Sequence, residues 1–319
     1  MNVELLIQRG NEIFAPAVVD GITWTTERKG CPGQLQFDVI KDDILNITEG
    51  DPVRLKIDGN EIFYGFIFKK KRSDDQIISV TAYDQLRYLK NKDTYVYENK
   101  TAAELVRMIA SDFKLQTGSV EDTGYKIPSR VEDNTSLFDM IQNALDLTLQ
   151  NRNEMYVLYD DFGKITLKNI ANMQVNILVD EETGEAYDYT SSIDDKTYNK
   201  IKLTYDNEET GTREVYITQD SSNINNWGVL QYFDTLKEGE NGKAKADALL
   251  SLYNKKTRNL SVNNVFGDTR VRAGSMLPVH LNLGDVIVQN MMVVEKCKHE
   301  FKDNQHFMNL TLRGGEFVA

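Results

Sequence analysis

A stretch near the N-terminus returns near the C-terminus, and that recurrence limits the possible folds more than any other feature. Residues 51–59 read DPVRLKIDG and residues 277–285 read LPVHLNLGD. In each, a proline precedes a Val-x-Leu-x-(Ile/Leu) alternation that a Gly/Asp pair closes. The first copy carries Pro52, Val53, Leu55 and Ile57, and the second Pro278, Val279, Leu281 and Leu283. A period of two puts these apolar side chains on one face of a strand, with Arg54, Lys56, His280 and Asn282 on the wet face. Proline suits the first residue of a strand, where its missing N–H costs no ladder bond, and Gly/Asp is turn chemistry. Each copy runs on into a long apolar strand (62–70 and 286–298) and a polar turn (72–76 and 302–305). An alternating strand follows, with Ile78, Val80 and Ala82 or Met308, Leu310 and Leu312. Such meanders occur in any β-rich protein. Two of only five prolines fall at the same point of the pattern, however, which favours a duplicated β-domain.

Residues 1–95 read as β throughout; Leu35, Phe37 and Val39 alternate with Gln34, Gln36 and Asp38. The run 63–68 is apolar at both parities, so cover on both faces is expected, and Gly65 within it suggests a bulge or a close backbone approach. It ends in KKKR (69–72), either a partner contact or a solvated hairpin tip. The pattern changes at Thr101, where Thr101-x-x-Glu104 is a capping box ahead of Leu105, Met108, Ile109 and Phe113 at helical spacing. A second helix is expected from Thr135 or Ser136, with Leu137, Met140, Ile141, Ala144 and Leu145 on one face. A hairpin through DDFG (160–163) follows. Residues 96–172 therefore read as a small α+β domain inserted between β-domains at 1–95 and 173–319. The last part opens with an acidic linker (179–195) short of core residues. Strands are then expected at 197–205, 213–217 and 258–266, and a helix at about 241–254.

The net charge of −12 argues against a nucleic-acid binder and against docking on anionic lipid. Residues 1–10 lack the plan of a signal peptide, and no apolar run approaches the roughly 20 residues that span a bilayer. Cys31 and Cys297 make no disulfide framework. The chain reads as made and folded in the cytoplasm. His299 lies two residues from Cys297 and His306 across a hairpin from both, but these are one ligand short of a zinc shell, so no metal is expected. Acidic pairs at 42/43, 74/75, 160/161, 181/182 and 194/195 fall in expected turns or linkers, where carboxylates are hydrated. Ser191, Ser192, Ser221 and Ser222 have no base partner, and neither a phosphate-binding glycine loop nor a Gly-x-Ser-x-Gly elbow is present. No catalytic residue and no cofactor emerges.

FYGFIFKKKR (63–72), TAYDQLRYLKNKDTY (81–95), YNKIKL (198–203), WGVLQYF (227–233) and FGDTRVRAGS (266–275) resemble the baseplate hub proteins of contractile phage tails. Within that family the chain looks most like the hubs of PBSX-like defective prophages and related R-type bacteriocins, and the resemblance runs nearly end to end. It implies a mainly β fold with an α+β insertion: two tail-tube-like β-barrel domains in tandem, flanking a small α+β domain. It further implies a homotrimer whose barrels adapt the hexameric tail tube to the trimeric spike, with other baseplate proteins as further partners. Such a protein is assembled into a tail or tailocin particle and released by lysis. Closing a ring of barrels removes unpaired strand edges. An acidic lumen would repel DNA phosphate in a tail that delivers DNA. A tail-associated wall hydrolase would need a catalytic pair in the middle domain. A carbohydrate-binding adhesin would need an exposed aromatic platform, whereas Trp24 and Trp227 lie in strand-like context that suggests core.

Overall fold

The computed structural model describes all residues except 43, 73–75, 195, 208–210, 237–239, 285–286 and 315–319, and all but the side chain of Asp20. Asp74 and Asp75, Asp43 and Asp195 of two other acidic pairs, and Asp285 of the second repeat copy therefore lie outside the described residues.

The N-terminal part is β1 (Val3–Arg9), β2 (Glu12–Phe14), β3 (Val18–Glu27), β4 (Gln34–Ile40), β5 (Pro52–Ile57), β6 (Asn60–Lys71) and β7 (Ile77–Tyr83). The strands pair antiparallel in the order β3-β4-β7-β6-β5-β1-β2. Period-two burial follows the alternation: Val53, Leu55 and Ile57 join Trp24, Leu35, Phe37 and Ile67 in one core. Asp58 and Gly59, at φ 49° and 82°, make the two-residue turn that matches strand twist. Gly65 has no room for a Cβ, which would meet the Tyr83 carbonyl, so the expected close approach is present. The expected cover on both faces of β6 is incomplete, because Tyr64, Phe66 and Phe68 on its outer face stay half-exposed.

The middle unit holds β8 (Lys92–Lys100), α1 (Ala102–Asp112), β9 (Thr117–Val120), β10 (Ile127–Ser136), α2 (Leu137–Arg152), β11 (Tyr156–Asp160) and β12 (Ile165–Asn169). Both bonds of the Thr101/Glu104 capping box form, at 2.7 and 3.2 Å, and Ser136 caps α2. β8 pairs with β10, and β9 with β12 beside β11. The core of this unit begins with Leu86 and Leu89 and includes Tyr95 and Tyr97. Packing therefore starts ahead of residue 96, and β8 straddles the boundary expected there.

The C-terminal part runs β13 (Ala186–Ser192), β14 (Lys200–Asn207), β15 (Thr212–Gln219), α3 (Ser221–Trp227), β16 (Gln231–Thr235), α4 (Gly242–Tyr253), β17 (Thr257–Phe266), β18 (Met276–Asn282), β19 (Ile287–Lys302) and β20 (Gln305–Gly314). The structure corrects three expectations from the sequence. The acidic linker contributes strand β13 and the fully buried Val179. The strands near 200 and 215 belong instead to a separate sheet, β15-β14-β16, which packs Ile201, Leu203 and Leu236 against Ala246 and Leu249 of α4. Trp227 ends a short helix, half-exposed, rather than lying in a core strand.

Among the described residues, twelve strands form one sheet. Within it β3-β4-β7-β6-β5 and β13-β17-β20-β19-β18 have the same order, the same chain direction of pairing, and a one-residue bulge after Ile67 or Val294 in corresponding strands. The halves join where the C-terminal stretch of β19 pairs with β3, from Lys296↔Glu27 to Phe301↔Ile22.

Candidate assembly surface

The repeat residues share a buried face in the two halves but are two residues out of step. Ile67 bonds to Gly50 and Asp51 as Val294 bonds to Gly274 and Ser275, so Pro52 corresponds to Met276 and not, as the sequence suggests, to Pro278. Pro52 opens β5, and Val53, Leu55 and Ile57 are buried. Pro278 is the third residue of β18 rather than its first, with Val279 and Leu281 buried and Leu283 half-buried beyond the strand end. The nitrogen of Pro278 lies on the same side of β18 as those of Met276 and His280, facing the irregular segment 173–179. On that side Met276 N–H donates to Met173 O and His280 N–H to Val179 O. The proline thus avoids the β19 ladder although it lies mid-strand.

The seam between the halves is polar. Arg28 forks onto Glu295, the bulge residue of β19, with Nε–Oε2 2.9 Å and Nη2–Oε1 2.8 Å, and Lys296 pairs with Glu27 at 2.7 Å. Such bidentate contacts fix register as well as adding energy. Behind the seam, Arg272 ties the three parts together. Its guanidinium lies 4.0 Å from the Tyr159 ring and 5.8 Å from Trp24, and Nη2 donates to Asp160 O at 2.7 Å. Two buried carboxylates stand near it. Asp84 accepts from Gly33 and Leu86 N–H, and Asp160 from Gly163 N–H. Burial raises both, Asp160 to about 6, with Arg272 opposing the rise. Asp160 is therefore not the hydrated turn residue its sequence context suggests. Asp84 and Arg272 lie inside two of the segments that carry the family resemblance, but no spacing within either segment marks them as a buried charge cluster.

Cys297, His299 and His306 do come together, with Sγ–Nε2 3.1 Å and His299 Nδ1 to His306 Nε2 2.9 Å. The Val271 carbonyl, 2.9 Å from His299 Nε2, can only accept. That makes Nε2 the protonated nitrogen of His299, and Nδ1 accepts from His306. Both rings are thus neutral, and burial lowers His299 to about 3 and His306 to about 4. No group of three or more His, Cys, Asp or Glu among the described residues is arranged to hold a metal ion. Ser221 and Ser222 sit at the N-terminus of α3 beside Asp220, and Ser192 Oγ accepts from Asp194 N–H, so none forms a nucleophile–base pair with a histidine.

A pH effect follows. The unfolded chain binds protons on these histidines below about pH 6.5 while the folded chain does not, so their contribution is lost as pH falls from there toward 4. For His299 the loss is on the order of 3–5 kcal/mol. Asp84 and Asp160 act in the opposite sense. His299→Gln keeps a donor toward Val271 and an acceptor toward His306 without titrating. Chemical denaturation should show its stability changing less between pH 6.5 and 4 than that of the unmodified protein; an unchanged slope contradicts the assignment.

The family described as YQBQ-like matches residues 22–313. Two proteins of Bacillus subtilis (strain 168) align over 97% of this chain. One, the uncharacterized protein YqbQ, is 32% identical over 95% of its own length; the other, the phage-like element PBSX protein XkdQ, is 30% identical over 96% of its length. Among solved structures, the 43 kDa tail protein of prophage MuSo2 from Shewanella oneidensis superposes with a TM-score of 0.71, covering 97% of this chain and 98% of that one at 13% identity. The fold is thus that of a phage tail protein, with a five-strand order used twice, and one of the two relatives comes from a phage-like element. The chain belongs to the YQBQ-like family.

Proposed function

We propose that this protein is the structural hub of a contractile phage-type tail, a homotrimer whose two five-strand units per chain adapt the hexameric tail tube to the trimeric spike. The observation that carries the reading is the recurrence of β3-β4-β7-β6-β5 as β13-β17-β20-β19-β18. One chain with two tube-like units matches two subunits of a sixfold ring, so three chains complete it. The unit around 96–172 stands outside that ring and meets other baseplate proteins. The chain is made in the bacterial cytoplasm, incorporated into the particle and released by lysis, with no catalytic role of its own.

Quantitative mass spectrometry of purified tails tests the stoichiometry. Three copies per tail are expected against six tube subunits in each layer, and six or one copies per tail count against the reading. Zymography on peptidoglycan addresses the alternative of a wall hydrolase: no clearing is expected, and clearing abolished by a single carboxylate substitution would favour the enzyme.

A further inference from the structure

Among the described residues, the seam inside the chain has a counterpart with no strand paired on either of its outer edges. The rungs of the sheet set the equivalence. One rung runs Lys69–Thr81–Gln36–Thr23 across β6, β7, β4 and β3, and its partner runs Lys296–Thr311–Ser261–Asp188 across β19, β20, β17 and β13. Both lie immediately after the bulge of the first strand. β3 therefore corresponds to β13, with Trp24 matching Tyr189, and the stretch of β19 from Lys296 corresponds to the stretch of β6 from Lys69.

Inside the chain, that stretch of β19 is paired to β3. The matching stretch of β6 has β7 on one side only. Ile67 still exchanges bonds with Asp51 and Gly50, but among the described residues Lys69–Lys71 have no strand beyond them; on that side the Lys70 ammonium donates to Ile47 O at 2.7 Å and lies 3.6 Å from Glu49. β13 ends the sheet with β17 on one side, and its exposed Asp188, Thr190 and Ser191 show none of the alternating burial of β3. An open strand edge of this kind invites another chain.

Resting on the trimeric reading above, we infer that the β6 edge at Lys69–Arg72 of one copy pairs antiparallel with β13 of the next, in the register that joins β19 to β3. Lys69 then faces Ser192 and Lys71 faces Thr190, as Lys296 faces Glu27 and Lys298 faces Thr25. Two features of the sequence fit this second seam. The basic run 69–72 comes between Asp188 and Asp194, both exposed, so charges of opposite sign meet. At the position of the Glu295–Arg28 fork, both members change together: the bulge residue becomes Phe68 and its opposite number Ile193, both half-exposed in the single chain. A charged pair inside the chain is replaced by an apolar pair between chains. The contact is head-to-tail, so it closes into a ring when the rotation permits.

Cysteine cross-linking in tails assembled from the full chain tests this. With Lys71→Cys and Thr190→Cys in one chain, mild oxidation should give covalent dimers and trimers and nothing larger. Lys69→Cys with Ser192→Cys should do the same, while the mismatched pair Lys69→Cys with Thr190→Cys should link weakly or not at all. Threefold tails in which neither matched pair links would overturn the inference and leave the hub reading standing. Linked ladders extending beyond three chains would keep the strand pairing and sink the trimer.

Discussion

Replacing Leu55 or Leu281 by aspartate should unfold the half of the protein that contains it, with a loss of about 4 kcal/mol or more. Both side chains are shut off from water, at 0% and 1% exposure, each in the core of its own half. An aspartate there has no cation to meet and leaves a cavity besides. The same change one residue before either leucine behaves differently. His280 is exposed, and Arg54 gives up a hydrogen bond to Gln8 Oε1 and a contact over the Tyr64 ring, so the cost there is about 1 kcal/mol. Denaturant titration followed by circular dichroism distinguishes the two outcomes. A tolerated Leu281→Asp beside a damaging His280→Asp would mean that the second copy is in the opposite register.

Removing the cation from the joint behind the seam should be nearly as damaging. Arg272→Met keeps much of the contact with Tyr159 and Trp24 but leaves Asp84 and Asp160, both almost fully buried, without their positive neighbour. A loss of about 3–5 kcal/mol is expected near pH 8. The sign of the pH dependence is fixed by Asp160. Its folded pKa, about 6, lies above the unfolded value, so the folded state binds more protons between roughly pH 4 and 6 and gains stability as pH falls through that window. Loss of Arg272 raises that pKa further, so the deficit of the variant relative to the unmodified protein should shrink between pH 8 and pH 5. Arg272→Lys should recover only part of the loss, because an ammonium does not stack on Tyr159 as a planar guanidinium does. A deficit independent of pH would show that packing, not charge, holds the joint.

These two clusters mark the limits of what the sequence discloses. Leu55 and Leu281 stand in a period-two pattern repeated with its proline and turn, and short-range geometry alone places them. The Thr101/Glu104 box and the Asp58-Gly59 turn are local in the same sense. Asp84, Asp160 and Arg272 lie in segments already conspicuous in the sequence, but they meet only because three parts of the chain converge, and no local spacing announces that contact. Two strands of the three-stranded unit, β14 and β15, were legible in the sequence, but neither β16 nor the separate core was, since alternation shows that a face is buried and not against what. β13 was hidden for another reason: an edge strand exposed along most of its length has the composition of a linker. In the proposed ring its partner belongs to another copy of the chain.

Electron cryomicroscopy of the spike-proximal end of the tail tests the central claim most directly. Three copies of this chain are expected around the axis, their six five-strand units forming one ring with pseudo-sixfold symmetry continuous with the tube. Six copies, a symmetry other than three, or β3-β4-β7-β6-β5 and β13-β17-β20-β19-β18 in unrelated positions around the axis would contradict it.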